Sequence, residues 1–322
     1  MRSGVSALAR FGALAALALA CRSAEAGPEC AGPLSPCIND DTLWPHAGPG
    51  RFVAIGSTET TARGQMAFGL VTTYLSRPIV LHLASPGGHG TDAYVVNDQV
   101  DTTFLWAYGV SDRLELDAAL PLALGQGGSG LEPVTGGASL RDTALRDLRF
   151  GFTYALVPHE RNWGLSARFE MSAPTGDRDQ FAGERSGVYI PSMSADYGRG
   201  SWFAGGEIGA RIRPTSELLG ARVGTEVVTA LGAGYDILPD ELLTAMVEAW
   251  ALPDLAAQAN GSVAVPAEWQ LSVRTSPIRG GNLSLELGGG GPLEGGAPIR
   301  TPRFRFTFGV RWAPRPPHPH LT

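Results

Sequence analysis

The residues able to do chemistry in this chain are few and scattered. Six histidines stand at positions 46, 82, 89, 159, 318 and 320. A nucleophile–base pair needs an imidazole within hydrogen-bond reach of a hydroxyl or thiol, and a third group to orient it. None of the six has a serine or acidic partner at a recognisable spacing, so no catalytic residue is expected. His82 and His89 could share a metal ion, but two loop histidines are more often simply solvated. Neither a metal nor a cofactor is expected. Gly125-Gln126-Gly127-Gly128-Ser129-Gly130 has the G-x-G-x-x-G spacing of a dinucleotide loop. Such a loop meets a pyrophosphate through the N-terminus of a helix that opens directly after it. Leu131-Glu132-Pro133 and a further glycine pair follow instead, which favours a plain loop.

Cys30 and Cys37 form an even pair among Pro and Gly residues. In an oxidising compartment they read as a local disulfide closing a small loop. Two cysteines and the distant His46 make a poor metal site by comparison.

The charges that alternate with apolar residues carry more. Across 302–313, Phe304, Phe306, Phe308, Val310 and Trp312 fall on one face, and Arg303, Arg305, Thr307, Gly309 and Arg311 on the other. This is the period-two pattern of a strand with unlike surroundings on its two sides. The same alternation places Asp101, Glu115, Asp117, Asp147, Arg149, Arg168, Glu170, Glu207, Arg211, Arg222, Glu226, Glu268, Arg274 and Glu286 on a polar face. Phe104, Trp106, Leu116, Leu120, Phe150, Phe152, Trp269 and Leu271 fall on an apolar one. Carboxylates and guanidinium groups around a lumen can orient a passing solute, or pair with one another and close it.

Positioning such a set requires many strands. Twelve segments carry the pattern, at 65–76, 98–109, 113–123, 146–157, 162–173, 188–198, 201–212, 220–232, 240–252, 266–276, 281–291 and 302–313. Their lengths suit tilted membrane strands of about 9–11 residues better than the soluble mode of about 5–6. Tight links at 111–112, 158–161, 199–200 and 278–280 take turns with long Gly-rich links at 77–97, 124–145, 174–187, 253–265 and 292–301. Short periplasmic turns opposite longer external loops are the asymmetry of outer-membrane barrels. The expectation is all-β: an up-and-down transmembrane antiparallel β-barrel of about twelve strands, with both its ends on the periplasmic side. The segment 240–252 is apolar on both faces and could equally be a short helix.

Composition agrees. Gly accounts for 43 residues, Pro for 24, and charged residues for only 17 %. Mean hydropathy is +0.01, and no run beyond the first thirty residues approaches the roughly 20 apolar residues of a spanning helix. Lysine is absent, and a net charge of −6 without a basic run argues against nucleic acid as a partner. Arg2 and Arg10, the apolar run 11–20 and Ala24-Glu25-Ala26 read as a signal peptide cleaved after Ala26. Cys21 offers a competing lipoprotein reading, but it lacks a leucine three positions upstream. The expected organisation is therefore signal peptide 1–26, an extended periplasmic leader 27–63, barrel 64–313 and a Pro-rich tail 314–322.

The run Tyr108-Gly109-Val110-Ser111-Asp112-Arg113-Leu114-Glu115-Leu116-Asp117, continuing to Pro121, resembles a hairpin of outer-membrane proteins grouped with the MetA pathway of phenol degradation. Asp147-Leu148-Arg149-Phe150-Gly151 and Ala173-Pro174-Thr175-Gly176-Asp177 resemble the following elements of that family, with Arg146 where it has glycine. The likeness covers about 100–213. It implies a channel-like barrel, in contact with outer-membrane lipid, for small hydrophobic or aromatic solutes. Related barrels begin OmpA-type proteins, and no counterpart of their peptidoglycan-binding domain is expected here. Two other readings stay open: a structural barrel with a closed lumen that interacts with periplasmic partners, and a soluble all-β binding domain. Nothing in the sequence marks an oligomer interface.

Overall fold

The computed structural model describes residues 30, 32–83, 90–136, 139–160, 162–258, 261–277, 282–293 and 299–314. The expected signal peptide, and the expected tail beyond Pro314, lie outside these residues. Twelve long strands succeed one another: β1 (Met66–Leu83), β2 (Thr91–Gly109), β3 (Leu114–Gly127), β4 (Arg149–Glu160), β5 (Trp163–Ser172), β6 (Val188–Arg199), β7 (Trp202–Arg211), β8 (Glu226–Leu238), β9 (Leu243–Ala251), β10 (Ala267–Thr275), β11 (Leu283–Pro292) and β12 (Phe304–Trp312). Each pairs antiparallel with the next. β1 pairs with β12 from Phe68↔Trp312 to Ser76↔Phe304, so the sheet closes on itself. Closure leaves no unpaired edge, which is what a sheet in lipid requires.

Alternation along the strands separates two environments. On β2, Phe104 is 52 % exposed, between Thr103 at 6 % and Leu105 at 4 %. Exposed apolar residues continue around the wall, among them Leu116, Phe152, Met193, Ile208, Leu231, Val247, Leu271, Leu287 and Phe306. An unbroken apolar belt of this size belongs against lipid. Aromatic residues gather where the tight turns lie, with Trp163, Tyr197, Trp202, Tyr235 and Trp312 all exposed. Trp202 and Tyr235 pack with ring centroids 4.7 Å apart. Such rings, apolar in body and polar at the tip, suit the headgroup level.

Links of a few residues join β2–β3, β4–β5, β6–β7, β8–β9 and β10–β11 at the rim where β1 begins and β12 ends; the remaining links lie at the opposite rim. Several boundaries differ from the sequence reading. The long link expected at 77–97 is mostly strand: β1 and β2 continue to Leu83 and from Thr91 through a register shift near Ile79. Ile79, Leu81, Val95 and Val96 are buried there, so the hairpin has packing to sustain it. The strand expected at 220–232 runs instead over Glu226–Leu238, because a small hairpin of Ser216–Leu218 with Ala221–Val223 occupies the preceding loop. The ambiguous segment 240–252 is strand β9. After the G-x-G-x-x-G run comes a helix of only one turn, Glu132–Thr135.

If the outward face meets lipid, Phe306→Arg should cost about 2–4 kcal/mol near the bilayer midplane. Equilibrium unfolding in lipid vesicles checks this, and an unchanged folding free energy would reverse the assignment of faces.

Candidate functional site

The interior of the barrel is filled by the chain itself. The segment expected as an extended periplasmic leader runs through the lumen. Leu34 bridges to Leu218 in the small hairpin at the long-loop mouth, and Arg63 bridges to Gly109 at the tight-turn rim. Residues 35–50 are buried without exception, and so are all of 51–62 but Arg51, Ser57 and Glu59, which are half-buried. Pro36, Pro45 and Pro49 with Gly48, Gly50 and Gly56 keep this stretch from forming a helix or strand. Buried irregular backbone must find partners for its N–H and C=O groups, because water cannot supply them freely. The wall supplies them.

At the long-loop mouth, Arg146 pairs with Asp40 at 2.5 Å and Asp101 at 2.8 Å. Arg300 donates to the Asn39 carbonyl at 2.8 Å and pairs with Glu226, which Arg213 also meets at 2.6 Å. Arg305 reaches Asp41 at 2.9 Å while its Nε donates to Glu268 at 2.8 Å, and Thr42 donates to the same carboxylate. Midway, Arg211 donates to the Thr42 carbonyl at 2.8 Å, with its guanidinium 4.1 Å from the centre of the Trp44 ring. Arg149 reaches the Pro45 carbonyl at 3.3 Å and Glu170 at 3.0 Å. Towards the tight-turn rim, Arg311 and Arg274 donate to the Gly50 carbonyl. Glu248 accepts the amides of Val53 and Ala54, Glu207 that of Gly56, and Glu115 that of Thr61.

Apolar contacts complete the fit. Leu43, Phe52, Val53 and Ile55 join Val71, Leu105, Phe203, Met246 and Trp250 of the wall in one buried cluster. Phe52 lies over Gly205 and Gly232, where a Cβ would stand 2.9 and 2.7 Å from its ring. Over the long-loop mouth, Ile38 packs with Ile79, Leu81, Val95, Val96, Phe181, Leu218, Val223 and Ile299. Cys30 and Cys37 are disulfide-bonded beside this cap. In the external loops, burial pushes the Asp254 carboxyl up, although the amides of Gly224 and Ala256 draw it down. A residual cavity of about 30 Å³ lies among Trp44, His46, Arg149, Glu170, Glu207 and Arg211. It has room for about a single water. The lumen is shut.

Of the residues singled out from the sequence, Asp101, Glu115, Asp117, Arg149, Arg168, Glu170, Glu207, Arg211, Glu226, Arg274, Glu286 and Arg305 are all buried inside the wall. Some of them pair with each other, as Arg168 does with Asp117 and Glu170, and Arg274 with Glu286. Arg303 is not among them. It is exposed at a bend before β12, where the alternation has not yet begun. Arg222 sits in the small hairpin and pairs with Glu217. His82 is exposed and pairs with Asp92 at 2.9 Å; His89 lies outside the described residues. Among the described residues, no group of three or more His, Cys, Asp or Glu side chains is placed to hold a metal ion.

Sequence reasoning missed Arg146, Glu248 and Arg300. Pairing of β3 with β4 stops at Ala119↔Arg149 and resumes at Leu122↔Leu145 with the two-residue strand Ala144–Leu145, with one more residue between the pairs on that side than on β3. The resulting bulge leaves Arg146 buried, and no strand pattern announces a bulge. Glu248 falls in the segment that could be read as helix. Arg300 lies in a loop, with φ at +68°.

Residues 82–263 match the profile of the family described as "Putative MetA-pathway of phenol degradation". The chain belongs to this family. The matched region runs from the end of β1 through the loop after β9, so the lumen segment lies outside it. An outer-membrane channel from Pseudomonas putida F1 superposes with a TM-score of 0.56 at 16 % identity, over 81 % of this chain and 99 % of that one. That likeness establishes the fold as a closed outer-membrane-type barrel. The NanC porin gives a TM-score of 0.47 at 8 % identity, covering 77 % of this chain and 100 % of its own. The CymD monoaromatic hydrocarbon channel gives 0.40 at 10 %, covering 87 % and 100 %. No curated protein matches the chain.

Arg305→Met would leave Glu268 and Asp41 buried without their counter-charge. A loss of about 3–5 kcal/mol is expected, read by denaturant unfolding in detergent. Arg305→Met combined with Glu268→Met should recover part of it, whereas simple additivity would show that the two groups do not interact.

Proposed function

We propose that this protein is an outer-membrane channel for small organic solutes, held closed by its own residues 34–63. The observation that carries the reading is what the wall charges do. Glu115, Glu207 and Glu248 take amides of the lumen segment, and Arg149, Arg211, Arg274, Arg300 and Arg311 take its carbonyls. With the segment moved aside, those charges would line a wet passage, where water can satisfy them as the peptide groups do now. Membership in a family whose description refers to phenol degradation supports small aromatic solutes as the cargo. Phe203, Met246 and Trp250 of the wall give an aromatic ring apolar surface among the charges.

A second reading has its own observation. The apolar cap around Ile38, Phe181 and Ile299 closes the long-loop mouth independently of the charges, as a structural barrel with a permanently closed lumen would need. Conductance in planar bilayers separates the two. A hydrogen bond to a carboxylate is worth about 1 kcal/mol more than one to an amide. Across three carboxylates that is about 3 kcal/mol, so the triple variant Glu115→Gln, Glu207→Gln, Glu248→Gln should open roughly a hundredfold more often than the native chain. Silence from both proteins would favour the closed barrel. Equal conduction by both would show that residues 34–63 are not the gate.

A further inference from the structure

At the tight-turn rim, a cavity of about 340 Å³ opens between the lumen segment and strands β6 and β7. From its lining we infer that it is a binding site for a neutral, hydroxylated aromatic solute of one ring. The inference deepens the channel reading and rests on it in one respect, that the ligand is the channel's cargo; binding itself needs no open lumen.

Aromatic rings line the cavity: Phe52 of the lumen segment, and Tyr197, Trp202 and Phe203 of the wall. Its inner end is fixed. Phe52 and Phe203 are buried, with ring centroids 5.4 Å apart and planes at 50°, and Ile55 lines the cavity with them. Glycines hold these rings in place: Phe52 covers Gly205 and Gly232, and a Cβ on Gly234 would run into the Phe203 ring. A floor backed by close-packed backbone does not collapse to fill the space above it. Tyr197 and Trp202 are exposed, so a ring that enters past them meets aromatic groups on the way in and at the floor. The volume falls at the lower end of the range for small-molecule pockets, about 300–1,000 Å³, which suits a single ring.

The charged groups of the lining decide that the ligand is neutral. Arg51, Glu59, Asp196 and Glu241 all line the cavity, and each already has partners within the protein. The Arg51 guanidinium stands 2.8 Å from Glu241, 3.7 Å from Asp236 and 4.5 Å from the centre of the Phe203 ring. Asp196 accepts from the Thr58 hydroxyl at 2.6 Å. An ammonium or carboxylate entering here would have to break such a pairing or go without a counter-charge, and taking a charge out of water unpaired is costly. A neutral ring meets no such cost. Ser57 and Asn162, which line the cavity as well, offer a ligand hydroxyl neutral groups that can donate or accept.

The test uses the full-length protein in phosphatidylcholine nanodiscs, titrated calorimetrically with phenol, cyclohexanol, benzylammonium and benzoate against empty nanodiscs. Saturable binding of phenol is expected, at least tenfold tighter than that of either ion and about threefold tighter than that of cyclohexanol, which lacks a π-face. Ser57→Trp, placed to fill the cavity, should abolish phenol binding while the heat-modifiable gel mobility stays native. Phe203→Leu keeps an apolar side chain but removes a ring; it should weaken phenol about threefold and leave cyclohexanol unchanged. A folding defect would instead weaken both. Binding of either ion as tight as that of phenol, equal affinity for phenol and cyclohexanol, unchanged affinity in Ser57→Trp, or no saturable binding up to about 10 mM would each overturn the assignment. Phenol binding by a protein that never conducts would keep the site and refute the channel, so the two fail separately.

Discussion

A twelve-stranded wall encloses more space than its own inward side chains can fill, and the rest of the structure answers that constraint. Water could fill the space. Here polypeptide does, and polypeptide without helix or strand brings a polar group at every residue. Each such group left unpaired away from water would cost on the order of 1–3 kcal/mol. The long inward side chains of the wall meet this demand. Carboxylates accept from the amides of Val53, Ala54, Gly56 and Thr61, and arginines donate to the carbonyls of Asn39, Thr42, Pro45 and Gly50.

Arginine suits this role better than lysine, which the chain lacks altogether. A guanidinium presents five donors in a rigid fork, so one side chain can serve several acceptors. Arg305 meets Asp41 of the lumen segment and Glu268 of β10 at once, and Arg146 does the same for Asp40 and Asp101. Buried pairs of this kind add little net stability, since desolvation opposes their attraction, but a broken pair is costly. They therefore favour one placement of the segment over its alternatives more than they strengthen the barrel.

The sequence made the wall legible because lipid imposes a period of two on every strand. Most of the twelve segments were readable, and the residues of Phe304–Trp312 display both faces without interruption. The interior was harder because its occupant is not uniform. Met246 and Trp250 are apolar and point inward against Phe52 and its neighbours, so β9 lost the alternation that marks a strand and could be taken for a helix. The bulge that buries Arg146 carries no periodic signal. Residues 27–63 read as an extended periplasmic leader because Pro, Gly, Ser and Thr are the vocabulary of solvated chain. Only their many partners in the wall, distant in sequence, make that composition compatible with burial.

The threading of the segment also bears on how the molecule can be built. It precedes β1, crosses from one mouth to the other, and is encircled by a wall whose last seam joins β1 to β12. Either that seam closes around a segment already in position, or the segment is drawn through a finished ring. In the second order, the disulfide loop of Cys30 and Cys37 must pass the same bore as the single chain behind it. Assembly therefore has a sequence of events, set by topology, that an empty barrel with the same twelve strands would not have.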